Sequence, residues 1–197
     1  ENIELTLQHQ GERVAVGFVP YIAGNITDTY VQADICVNNT EEEKNSFGDV
    51  LVGIIAGGLS VKGVISNCSS SGHIENWNDS GGYVGGIAGS AAEISNCESD
   101  VKISGIAVCA GGIVSIIANG DIKKCVSRAQ LRGDFQSAGG IAGSVVLHEY
   151  EVSDCRFEGS IRTDRSKSSY FNTDATEALC YGGIIGEIPF TNEMLIK

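Results

Sequence analysis

Four cysteines recur along this chain at Cys68, Cys97, Cys125 and Cys155, each three positions after an aliphatic residue at Ile65, Ile94, Ile122 and Val152. Thiols can bridge, ligate soft metals or attack electrophiles, so this column is the first place to look for chemistry. The spacing argues against most of it. The chain has no Cys-x-x-Cys and no cluster of histidine with cysteine, so neither a metal nor another cofactor is expected. On neighbouring parallel strands, cysteines in register would stand about 4.8 Å apart with parallel Cα–Cβ bonds, a poor geometry for a bridge. Seven cysteines, so regularly placed, read as free thiols packed like small hydrophobes rather than as a disulfide scaffold. Cys109 and Cys180 share a different repeat position two copies apart, too far to pair. Cys36 falls on an outward position and is expected to be accessible.

Other candidates are weaker. His73 sits between Asp34 and Lys102 in one predicted outward column, an arrangement that could pose as an acid–base group. A flat ladder gives catalysis no cleft, so a solvated surface histidine is the reading. Glu41-Glu42-Glu43 lacks the alternating oxygen ligands and glycine turn of a calcium loop. The only tryptophan, Trp77, lies within Glu75-Asn76-Trp77-Asn78-Asp79, and Tyr170-Phe171 lies in a long polar stretch. Aromatic side chains on exposed loops can stack on sugar rings or anchor a protein partner. Trp77, Tyr170 and Phe171 are therefore the candidate ligand-binding residues, and the alternative is that they fold back over the sheet end. No catalytic residue is assigned.

The elements that would position these side chains are written in a repeated phrase. Val84-Gly85-Gly86-Ile87-Ala88-Gly89 returns at Val52 to Gly57, Ala110 to Ser115, Ala138 to Gly143 and Tyr181 to Gly186, with a weaker copy at Val19-Pro20-Tyr21-Ile22-Ala23-Gly24. Starts at Val19, Val52, Val84, Ala110, Ala138 and Tyr181 are separated by 33, 32, 26, 28 and 43 residues. Self-similarity at such a period means a stack of supersecondary units rather than a globule around one site. After each phrase comes the aliphatic-to-cysteine step, whose spacing of three breaks a period of two and predicts a corner. Beyond it the alternation is regular. Cys97, Ser99, Val101 and Ile103 point inward, and Glu98, Asp100, Lys102 and Ser104 point outward. Thr29 takes the place of cysteine in the first copy.

The fold predicted is all-β, a right-handed parallel β-helix of about six coils with roughly three short strands per coil. At about 4.8 Å per strand it would be a rod on the order of 30 Å long. In this register Asp100, Arg128 and Glu158 share an outward column, as do Asp34, His73 and Lys102. Such exposed ladders contribute little stability but support the register. Residues 1–197 are read as one solenoid, with 1–18 a partial coil or cap, 19–187 the repeats and 188–197 an incomplete coil. Both ends look cut, so a fragment of a longer protein is expected, with self-association through the ends open to it. Loops of unequal length are predicted at 36–49, 75–82, 104–108, 132–136 and 162–178, all leaving one corner.

Composition narrows the partners. Of 197 residues, 26 are glycine and 42% are hydrophobic, and the formal charge is -12 with a pI near 4.6. That charge argues against nucleic acid and anionic membrane surfaces, and no apolar run approaches the length needed to insert in a membrane. The start at Glu1-Asn2-Ile3 carries no signal-peptide pattern, which leaves secretion open.

The phrase Tyr83-Val84-Gly85-Gly86-Ile87-Ala88-Gly89 with Ile94-Ser95-Asn96-Cys97, and Ala138 to Gly143 with Val152-Ser153-Asp154-Cys155, resembles the GLUG repeat of bacterial surface proteins. Residues 50–187 carry the resemblance well, and Val19 to Ile35 loosely. It implies an extracellular, cell-surface or cell-wall location in adhesin-like proteins or in metallopeptidases that cleave immunoglobulin A, where such repeats are accessory. No His-Glu-x-x-His is present to carry peptidase chemistry: His148-Glu149 is followed by no second histidine. The functional expectation is a noncatalytic surface module, an adhesin-like binding domain or stalk whose partner is a host or matrix glycan or protein. Two alternatives stand beside it: a carbohydrate-active β-helix enzyme, for which the outward columns show no paired acids, and an accessory segment of a large surface metallopeptidase.

Overall fold

The computed structural model describes residues 3–7, 14–39, 50–59, 63–78, 81–117, 120–145, 150–163, 180–187 and 194–196. The chain enters through β1 (Ile3–Leu7) and then repeats a cycle. The first level is β2 (Val14–Val16), β3 (Val19–Ile22), β4 (Ile26–Thr27) and β5 (Tyr30–Asn39), and the second is β6 (Val50–Gly53), β7 (Ala56–Leu59), β8 (Val64–Ser66) and β9 (Ser69–Asn78). The third is β10 (Tyr83–Gly85), β11 (Ala88–Ala91), β12 (Glu93–Ser95) and β13 (Glu98–Gly111). Then come β14 (Val114–Ile117), β15 (Ile122–Lys123), β16 (Val126–Ser127) and β17 (Gln130–Gly139), followed by β18 (Ala142–Val145), β19 (Tyr150–Ser153), β20 (Arg156–Phe157) and β21 (Ser160–Thr163). The last strands are β22 (Cys180–Gly182), β23 (Ile185–Glu187) and β24 (Met194–Ile196).

These strands stack into a 12-stranded first sheet, a six-stranded second sheet running from β3 to β23, and a six-stranded third sheet running from β4 to β24. Neighbouring strands pair in parallel, each with its counterpart one level away, as in β4 with β8 and β8 with β12. The protein is an all-β parallel solenoid. The chain visits the first sheet twice per level: the start of β13 pairs β9 and its end pairs β10.

The glycine phrase stacks in the register its spacing predicts, with Val52 opposite Val84, Val84 opposite Ala110, Ala110 opposite Ala138, and Ala138 opposite Tyr181. Its first copy lies elsewhere than expected. Val16 pairs with Val52, and Val19 pairs with Ala56, so the first copy is Val16-Gly17-Phe18-Val19 and not Val19 to Gly24. That level is one residue shorter at the bend, Gly17-Phe18-Val19 against Gly53-Ile54-Ile55-Ala56.

Backbone contact explains the glycines. A Cβ on Gly85, Gly111, Gly139 or Gly182 would strike the carbonyl oxygen of Ala88, Val114, Ala142 or Ile185, so the bend closes only without a side chain. A Cβ on Gly89 would meet the Val52 amide nitrogen, because second-sheet strands lie against first-sheet strands of the preceding level. Ser115 occupies this position in β14's level, and its hydroxyl donates to the Cys109 carbonyl at 2.7 Å.

The predicted corner before each inward cysteine is a left-handed residue: Asp28, Asn67, Asn96, Lys124 and Asp154 have φ of 52°, 55°, 51°, 55° and 55°. Asparagine and aspartate tolerate this conformation best among residues with a Cβ. The thiols complete the corner. Cys68, Cys97, Cys125 and Cys155 each donate to the carbonyl two residues back, at 3.1, 3.2, 3.3 and 3.3 Å, and the Thr29 hydroxyl does the same at 2.9 Å. Inward alternation then holds through Cys97, Ser99, Val101 and Ile103, all buried.

Two predicted loops are strands. Residues 104–108 lie within β13 and 132–136 within β17, paired through Gly105 with Gly133, Ile106 with Asp134 and Ala107 with Phe135. Gly105 makes the bend inside the strand with a φ of +110°, where a Cβ would strike the Asn76 carbonyl oxygen. The ladder satisfies the backbone across both levels, so no loop leaves there.

Candidate functional site

The first sheet presents the outward residues of β5, β9, β13, β16, β17, β20 and β21 as columns on one face. Trp77 belongs to this face. It lies inside β9, opposite Asn38 of β5, with 41% of its surface exposed, so it projects from a strand end and not from a loop. Tyr170 and Phe171, the other two candidate binding residues, lie outside the described residues, as do Glu41-Glu42-Glu43 and His148-Glu149.

The predicted histidine column is present: Asp34 is opposite His73, which is opposite Lys102. The Asp34 carboxylate accepts from the His73 backbone N–H at 3.0 Å and lies 3.2 Å from its Nδ1. Both side chains are more than half exposed, so the pair is solvated. The other ladder differs in its rungs. Arg128 Nε reaches Glu158 at 3.1 Å as expected, but Arg128 Nη1 reaches Glu98 at 3.1 Å, diagonally, in place of Asp100. Arg156 Nε also meets Glu158 at 2.9 Å, giving a Glu98–Arg128–Glu158–Arg156 chain across three levels.

Tyr30 was open to detection and missed. It is the outward residue between Thr29 and Val31, is 63% exposed, and its hydroxyl lies 2.9 Å from Ser71 Oγ and 3.2 Å from Gln32 Oε1. The inward frame of its neighbours gives its direction. Phe18 and Tyr21 add two more exposed aromatics at the same level. The Tyr181 hydroxyl bonds back to the Phe135 carbonyl at 2.5 Å, a structural role.

All seven cysteines are free thiols, and Cys36 is half-buried on the outward face beside Glu75. Burial and the Glu75 charge raise its pKa. Hydrogen bonds with the Cys155 and Cys97 thiols, then burial, hold Cys125 above the ordinary thiol range. Burial, with Glu187 and Cys180 nearby, pushes Cys109 up to about 12. In the rest of the column, burial raises Cys68, whereas the hydrogen bond with Cys125 lowers Cys97 and Cys155. Among the described residues no group of three His, Cys, Asp or Glu side chains could hold a metal ion, and no helix is long and apolar enough to cross a membrane.

Comparison of the chain with protein-family models, with curated proteins and with solved structures finds no match.

Proposed function

We propose that this chain is a noncatalytic binding module of a bacterial cell-surface protein, related to the GLUG repeats, that presents one face of its solenoid to an extracellular glycan or protein and otherwise serves as a stalk. The supporting observation is the division of labour within each level. Inward residues and glycines are committed to stacking, while the outward face of the first sheet varies from level to level and carries Trp77, Tyr30 and the charged columns. Function resides in departures from a repeat, because the repeat itself encodes architecture.

The test is an array of glycans and extracellular-matrix proteins probed with the purified chain and with Trp77→Ala. Binding that falls in the variant, while the melting curve is unchanged, supports a ligand face that includes Trp77. Turnover of a polysaccharide by the purified chain would overturn the noncatalytic reading.

A further inference from the structure

The outward face of the first sheet changes its charge balance along the stack. Its early levels carry Asp34, Glu75, Glu98 and Asp100 against Lys102, and its later levels carry Arg128, Arg132, Arg156 and Arg162, all four exposed, against Glu158. Four of the chain's six arginines thus gather on one patch of a molecule whose formal charge is -12. Arg132 stands opposite Arg162, and Gln130 opposite Ser160, between β17 and β21. Like charges directly opposed on neighbouring strands repel each other. An anionic group that reaches this pair meets two guanidinium groups at once.

We infer that this arginine strip binds an anionic glycan, a polymer bearing carboxylate or sulfate groups along its length. The strip extends about 20 Å along the strands from Arg156 to Arg162, at about 3.3 Å per residue. Arg128 and Arg156 are already oriented by Glu98 and Glu158 through Nε and Nη1 contacts. A guanidinium has five N–H donors, so each keeps donors for a further acceptor and can take a carboxylate or sulfate bidentately. Between the arginines lie Glu158, which is paired with Arg128 and Arg156, and Gln130 and Ser160, polar side chains suited to sugar hydroxyls. Among the described residues no aromatic side chain separates them on this face, whereas single-stranded nucleic acid is held by stacking platforms. These observations favour a glycan.

The inference rests on the reading of the chain as a binding module and names the partner's chemistry. The purified chain would be chromatographed at low ionic strength on immobilised sulfated dextran, polygalacturonate, neutral dextran and single-stranded DNA. Retention is expected on one or both anionic glycans, which separates sulfate from carboxylate as the source of the charge, and not on neutral dextran. Because the whole molecule is acidic, retention reports a local patch and not net charge. The R132Q/R162Q variant should bind about tenfold or more weakly, as loss of charge-assisted hydrogen bonds requires. K123Q/K124Q, which removes the same two charges away from this face, should retain binding, with melting curves confirming that both variants fold. Absence of retention on both anionic glycans, equal loss in K123Q/K124Q, or tighter retention on DNA would overturn the inference. Array binding to neutral glycans or matrix proteins without retention on either anionic gel overturns it while leaving the binding module standing. No binding of any kind overturns both.

Discussion

The seam where the second sheet lies against the first and the outward face of the first sheet are built from the same strands, yet they follow opposite rules. At the seam, backbone meets backbone. A Cβ on Gly89 would meet the Val52 amide, and one on Gly140 would strike both the Gly183 carbonyl and the Phe157 ring. On the outward face, neighbouring levels place Tyr30 beside Ser69 and Glu98 beside Val126 with no geometric penalty. The seam repeats because few side chains fit, Ser115 and Ile54 being the departures, and the face varies because almost anything does. Sequence identity between copies therefore measures steric constraint here.

The sharpest way to break that comparison is to add one methyl group at equivalent seam positions. Gly140 and Gly183 occupy the same place in the phrase, since Gly139 pairs with Gly182. Gly140→Ala should destabilise by about 3 kcal/mol or more, because backbone as well as a ring must move. Gly183 has nothing within 4 Å of the position of an added Cβ, so Gly183→Ala should stay within about 0.5 kcal/mol of the parent. Urea unfolding followed by circular dichroism would measure both. Equal effects would show that conformational freedom, not close approach, is what selects glycine.

The same contrast explains what could be read in advance. Phrase spacing predicted the register of the levels from Val52 onward because the glycines cannot move without a clash. It failed at the first level, where Pro20-Tyr21-Ile22-Ala23-Gly24 imitates the phrase and the true copy lacks one residue. The segments 104–108 and 132–136 looked like loops because Ser104, Gly105, Gly133 and Asp134 have loop composition. Whether a strand continues through such residues depends on pairing with the next level, which local composition does not encode. Trp77, among Asn76, Asn78 and Asp79, has loop composition around it and lies in a strand for the same reason. The charge columns were legible at the level of Cα register, but the Arg128–Glu98 diagonal depends on the reach of long side chains.

A pH titration tests the seam from its chemistry. Cys109, paired with Tyr83 and Ser137 in the first sheet, has its pKa pushed up from 9.0 to about 12. The unfolded thiol ionises first as pH rises, so the unfolded state then binds fewer protons than the native state and stability falls. The loss should begin near pH 9 and continue to about pH 12, and be negligible below pH 8. Replacing Cys109 by serine should make this alkaline limb shallower by up to about 1.4 kcal/mol per pH unit. An unchanged limb would mean that Cys109 is open to solvent.

Between seam and face lies the left-handed corner, where one level departs from its neighbours. Lys124 holds φ at 55° where Asn67 and Asn96 stand in other levels. Lysine lacks the short polar group with which asparagine hydrogen-bonds locally in this region, and so costs about 1 kcal/mol more there. Lys124→Asn should therefore raise stability by about 1 kcal/mol, and Asn96→Lys should lower it by a similar amount. Thermal melts of the two variants would set the corner's constraint on a scale between seam and face.

The smallest effect belongs to the outward face itself. Arg128 makes two ladder contacts, to Glu98 and Glu158, each at 3.1 Å, which would rank it high if ion pairs held the stack together. All three side chains are substantially exposed, so water and salt compete for each contact and the ordering of long side chains offsets what attraction remains. Arg128→Gln should leave the melting temperature within experimental scatter, at low salt as at high. The backbone ladders below it, from Glu98 with Val126 to Lys102 with Gln130, are untouched by the change. A large loss would mean that side-chain ladders set the register. In that case the variable face would be part of the scaffold, and its arginines would be unavailable to select a partner.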